Sequence, residues 1–271
     1  MVPENLPIIA DGLDAQADAR AWRYAAALAL LIGGWAAWHY ARLGLTLSHY
    51  DARAHLVVAR RVIDSLTPGW RQFGAVWLPL PHVLNVIPVQ WDWSARTGFS
   101  GVAISVVALS AGLGALAAYL RRVAGSLVVA VAVPLAILLN PNVLYLQATP
   151  MTEALLFGAA FLSLLAVDNW TREPAIDTAA RAALPLTALV LTRYEGWLIA
   201  GALGAIAFLA SRRPRSGFLL LAGSPVAAIA AFLVLSYLAT GVWLVTDGFF
   251  TPDNPARGSW SMSFEIGRAH V

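Results

Sequence analysis

Cysteine and lysine are both absent from the sequence. The first absence excludes disulfides, thiolate catalysis and cysteine metal sites. The second excludes Schiff-base chemistry and leaves arginine and backbone amides to hold any phosphate. Charge of either sign is scarce. Charged residues make up 12% of the 271-residue chain against 59% hydrophobic residues, where a soluble domain carries about a quarter charged. There is no Gly-rich phosphate loop, no Gly-x-Ser-x-Gly elbow and no His-Glu-x-x-His, so any donor substrate is presented in or at the membrane. The net charge of +3 comes from arginines scattered between apolar spans, which read as topology signals rather than a nucleic-acid surface.

What is present is a series of long apolar runs, and these predict an all-α polytopic membrane protein. A spanning helix needs about 20 apolar residues. Trp22–Leu45, Gly98–Leu120, Ala124–Leu146 and Phe218–Thr240 meet that length, while Thr152–Val167, Thr178–Thr192 and Trp197–Ala210 are shorter. The expectation is a bundle of about seven transmembrane or half-spanning helices. Residues 1–21 form a polar cytoplasmic tail and 22–264 the membrane module, which includes a large external loop over 47–97. Glu265-Ile266-Gly267-Arg268-Ala269-His270-Val271 is the in-frame translation of a widely used sequencing-adapter DNA. The natural protein is therefore expected to continue beyond about Phe264.

With the N-terminus cytoplasmic, the chain returns to that side at Arg121-Arg122, at Asp168–Arg181 and at Arg212-Arg213-Pro214-Arg215. That alternation puts Asp51, Glu153 and the run Arg193-Tyr194-Glu195 on the external side of an inner (plasma) membrane. The first external loop predicts an interfacial amphipathic helix over Ala52–Ser65, ended by Thr67-Pro68-Gly69. Trp70, Trp77, Trp91 and Trp93 then form an aromatic belt.

Each charged group has two readings. Asp51 is a general base at the rim of a membrane cavity, or the N-cap of the following helix. Glu153 is a second catalytic acid, or a complement to its helix dipole behind a Thr149 cap and Pro150 at the first helical position. Arg193 and Glu195 suit the dipoles of two helix ends. Their turn is expected to lie below the membrane surface, where charge is expensive, and this favours function. His49, Asp51 and His55 suggest metal ligands by type, and Asp51 and His55, four apart, share a helix face, but zinc takes three or four ligands and that face offers no third. Asp51 with Glu153 offers oxygen ligands for a divalent ion, though none is demanded. His82, beside two prolines, reads as a loop histidine rather than a ligand.

These segments resemble the clan C (GT-C) membrane glycosyltransferases, nearest to bacterial relatives of protein O-mannosyltransferases and lipid A aminoarabinose transferases. The carriers are Tyr50-Asp51-Ala52-Arg53-Ala54-His55, Trp77-Leu78-Pro79-Leu80-Pro81-His82, Asn140–Tyr145 with Thr149–Glu153, and Leu191–Trp197. The resemblance implies transfer of a sugar from a polyprenyl-phosphate donor to a glycan, lipid or protein acceptor on the external face, usually with inversion. It implies catalysis by Asp51, with Glu153 standing in for the second acid that the family places beside the first. Substrate binding would fall to Arg193, Tyr194, Glu195, Arg53, Arg60, His55 and His82. No cofactor and no nucleic-acid partner is implied beyond membrane lipid and the lipid-linked sugar. The rival reading is a transporter or lipid-linked sugar flippase, since broken helices with charged breaks also occur there. A non-catalytic scaffold would leave the sunken charges without a purpose.

Overall fold

The computed structural model describes residues 6–74, 76–210 and 217–244, with side chains from Gln16 onward. The expected adapter-derived end and the arginine-rich turn at 211–216 lie outside the described residues. Every regular element among those described is helical.

The chain begins with α1 (Leu6–Arg42), so the expected separate tail is, from Leu6 onward, continuous with the first helix. The loop that follows carries α2 (Tyr50–Arg61), α3 (Leu80–Asn85) and α4 (Asp92–Thr97). Next come α5 (Phe99–Ala124), α6 (Leu127–Leu138), α7 (Pro141–Gln147) and α8 (Glu153–Arg172). The described chain closes with α9 (Ile176–Val190), α10 (Glu195–Ala210) and α11 (Phe218–Thr240).

Three of these helices, α5, α8 and α11, are long and apolar enough to cross a membrane, or four crossings if α6 and α7 count as one span. That corrects the expectation of about seven. The reasons are local. Trp35, Trp38, His39 and Tyr40 dilute the apolar run of α1 in its last turns. At about 1.5 Å per residue, the 15 residues of α9 cover about 22 Å, short of a hydrocarbon core of about 30 Å. The run Ala124–Leu146 is not one helix. Asn140 caps α7 by accepting from the Asn142 amide at 3.0 Å, Pro141 takes the first helical position, and the pair bends by 69°.

Small residues let the spanning helices approach closely. A Cβ on Gly112 of α5 would meet the backbone of Gly158 in α8, and one on Gly158 would meet the carbonyl of Ala108. Trp170 of α8 is fully buried in a cluster with Ala179, Ala182 and Leu186 of α9 and Leu221 of α11. At the end where α5 and α8 finish, Arg122 donates to Asp18 of α1 at 2.9 Å, to Asp168 of α8 at 2.8 Å and to Asn169 at 2.7 Å. This joins three helices at one end of the bundle. The other end, where α5 and α8 begin, carries the loop helices.

Candidate functional site

At that second end the chain forms a half-open cavity of about 450 Å³. Its walls come from the start of α2, the turn before α3 and α3 itself, which carries His82, the start of α8 and the α9–α10 turn. Asp51, Glu153, Arg193, Tyr194, Glu195, His55 and His82 all line it. The three charged clusters that break the apolar sequence therefore meet.

Asp51 is not the cap of its helix. His49 is the N-cap residue, and its ring Nδ1 accepts from the Asp51 amide at 3.2 Å. The Asp51 side chain is half-buried, and no described residue hydrogen-bonds or ion-pairs with its carboxylate. It does act electrostatically on Arg193. His55 lies one turn further on α2, on the same face. Arg53 and Arg60 do not reach the cavity. They follow Asp51 by two and nine residues, which at about 100° per residue turns both away from its face. Arg53 donates to the Leu47 carbonyl at 2.9 Å, and Arg60 pairs with Asp64 at 3.1 Å and Asp92 at 2.7 Å, fastening α2 to α4.

The start of α8 also differs from expectation. The helix begins at Glu153 with Thr152 before it, and Thr149 instead donates to the Leu146 carbonyl. Freed from capping, the Thr152 hydroxyl accepts from Arg193 Nη1 at 3.0 Å. The same Nη1 lies 2.8 Å from Glu153 Oε1, while Nε and Nη2 grip both oxygens of Glu195 at 3.2 and 2.9 Å. Arg193 is thus occupied by two carboxylates and a hydroxyl, so it is not the open phosphate fork that the sequence suggests. Oε2 of Glu153 is buried and has no hydrogen-bond partner among the described residues. Three carboxylates face one guanidinium across the cavity.

The turn that presents Arg193 is tight. A Cβ on Gly196 would collide with the Leu189 carbonyl, and the Trp197 indole donates to the Val190 carbonyl at 2.8 Å. Two bonds tie this turn to the first loop: Tyr194 hydroxyl to the Val76 carbonyl at 2.9 Å, and the Leu80 amide to the Leu191 carbonyl at 3.0 Å. Tyr194 therefore serves as a strut as well as a wall.

His55 and His82 form a buried pair, Nδ1 to Nε2 at 3.1 Å, edge-on to Trp77. Burial, with His82 next and Arg193 and His49 behind it, pushes the His55 pKa down to about 3. Burial pushes His82 down to about 4 against a bond to the Leu78 carbonyl. Trp77, read from sequence as a belt residue, is a cavity wall, while Trp91 and Trp93 are exposed. Thr152 is the other contributor that sequence reasoning missed. Its one signal is its place directly before Glu153. No group of three or more His, Asp or Glu side chains gathers as a metal site among the described residues.

Compared with known protein families, curated proteins and solved structures, the chain matches none of them.

Proposed function

We propose that this cavity transfers a sugar from a polyprenyl-phosphate donor to an acceptor hydroxyl at the external face of the membrane, in the manner of a GT-C glycosyltransferase. One observation carries the reading: an unpartnered carboxylate, Asp51, shares a cavity with Arg193 at one end of a set of apolar helices. A carboxylate without a partner is a base in waiting, and an arginine beside it is the cation that a phosphate leaving group requires.

The reaction is a single displacement. The acceptor oxygen bonds to the anomeric carbon as the bond from that carbon to the phosphate oxygen breaks. The electron pair leaves with the lipid phosphate, and the hydroxyl proton passes to Asp51. Because Arg193 is already held by Glu153 and Glu195, the donor phosphate takes the place of one of them. Glu195 is the one that yields, since its side chain is 56% exposed against 23% for Glu153. Glu153 and Thr152 then keep the guanidinium aimed.

A transporter would share the discontinuous α6–α7 pair, which contributes no residue to the cavity lining, and also the charged α9–α10 break, which does. The lining is common to both readings, and the fate of the sugar separates them. The discriminating experiment uses membranes holding the full-length protein and a labelled polyprenyl-phosphate sugar. Label appearing on an acceptor supports transfer, whereas label that crosses the bilayer still attached to its lipid refutes it.

A further inference from the structure

The buried imidazole pair fixes a hydrogen-bond direction. A carbonyl oxygen has no hydrogen to give, so the 3.1 Å contact between the Leu78 carbonyl and His82 Nδ1 places a proton on that nitrogen. His82 stays neutral at physiological pH, because burial holds its pKa near 4. Its Nε2 is therefore a bare lone pair. His55 Nδ1, 3.1 Å away, must donate to it. His55 is neutral for the same reason, so its own Nε2 is bare in turn. No described residue donates to that nitrogen. The ring lines the cavity on the same face of α2 as Asp51 and is held edge-on to Trp77 at 4.5 Å between centroids. The chain from Leu78 through His82 to His55 thus presents one acceptor of set orientation to whatever fills the cavity.

We propose that His55 Nε2 receives a hydrogen bond from a hydroxyl of the donor sugar, distinct from the acceptor hydroxyl that Asp51 deprotonates, and so determines which sugars fit. This rests on the sugar-transfer reading. The ring forms no covalent bond and keeps no proton; it is a specificity-determining contact. A neutral lone pair on a ring that does not turn requires a donor opposite it. A free hydroxyl satisfies it, and a hydrogen, fluorine or methoxy group at the same carbon does not.

Two substitutions separate the two nitrogens. His55→Asn places an amide nitrogen where Nδ1 stands, which keeps the donation to His82 and removes the acceptor. His55→Gln reaches to the position of Nε2, where its carbonyl oxygen restores an acceptor. The assay is transfer by the full-length protein in membranes from labelled polyprenyl-phosphate mannose, glucose and arabinose, and from monodeoxy analogues of whichever sugar is used. For His55→Asn we expect kcat/KM to fall about three- to tenfold, mostly through KM, as loss of one neutral hydrogen bond gives. His55→Gln should stay within about twofold of the unsubstituted protein. One monodeoxy analogue should cost the unsubstituted protein that same factor and cost His55→Asn nothing further. Equal kinetics in His55→Asn and the unsubstituted protein would overturn the proposal. So would a Gln variant as impaired as the Asn variant, which also covers the case in which His55→Asn fails to fold. If the unsubstituted protein transfers none of these sugars, the transfer reading fails and this proposal with it. Transfer that is indifferent to His55 removes this proposal alone.

Discussion

Two arginines sit among acids at opposite ends of the same helices. Arg122 closes the end where α5 and α8 finish, and Arg193 closes the end where α8 begins. The two side chains are similarly buried, 23% and 29% exposed, and each bonds to two carboxylates. Around Arg122 the acids belong to α1 and α8, so its bonds hold helices together. Around Arg193 one acid is Glu195, two residues away on the same turn, and the polar groups open onto a cavity with Asp51 unpartnered beside them. An ion pair alone therefore says little about function. The unspent groups next to it are what separate a fastening from a site.

That comparison breaks first by substitution of the two arginines. Arg193→Ala should lower transfer about 100- to 1,000-fold, the loss typical of removing a group aimed at developing charge. It also strands Glu153 and Glu195, so its stability should fall by an amount similar to that of Arg122→Ala. Arg122→Ala should lower stability alone. It strands Asp18 and Asp168 and costs about 1–3 kcal/mol of stability, discounted from a fully buried pair because the group is partly exposed. Transfer per folded molecule should stay near that of the unsubstituted protein. Thermal unfolding in detergent, read beside the transfer assay, separates the two. Matching losses in both assays for both variants would erase the distinction.

The His55–His82 pair adds a pH dependence to the cavity end. In the unfolded chain each imidazole takes a proton near pH 6.5, but in the folded state only near 3 and 4. The unfolded state thus binds more protons as pH falls from about 6.5 toward 4, so stability present above 6.5 is lost through that window. The groups facing the pair are Asp51, Glu153, Arg193, Glu195 and His49, all of which the double substitution leaves in the sequence. The double variant His55→Gln, His82→Gln should therefore show a flatter decline in thermal midpoint over the same window. An unchanged decline would remove the pair as its source.

The smallest effect concerns Glu195. If it yields Arg193 to the donor phosphate, then Glu195→Gln weakens the competitor and should lower the donor KM about two- to fivefold, as loss of one partly exposed charge contact gives. A raised KM would mean that Glu195 orients Arg193 throughout the reaction.

The sequence made the site more legible than the fold. Asp51, Glu153 and Arg193 stand out because each interrupts an apolar run, and such interruptions are costly wherever they fall. Apolar length does not reveal where a run breaks or how far a helix continues past it. Asn140-Pro141 splits one expected span, and the helix expected to be short at Thr152–Val167 runs on to Arg172 and is long enough to cross. Partner choice was hidden as well. Arg53 and Arg60 carry the right charge, but helical phase turns them away from Asp51, and the acid that claims Arg60, Asp92, lies in another element. Trp77 looked like a belt residue because composition does not distinguish an indole facing lipid from one facing a buried histidine.

The most direct measurement is transfer of labelled sugar from a polyprenyl-phosphate donor by Asp51→Asn beside the unsubstituted protein in the same membranes. Loss of a positioned base predicts a fall of about 100- to 10,000-fold. Because no described residue bonds to this carboxylate, the thermal midpoint should not move. Undiminished transfer by Asp51→Asn would contradict the account.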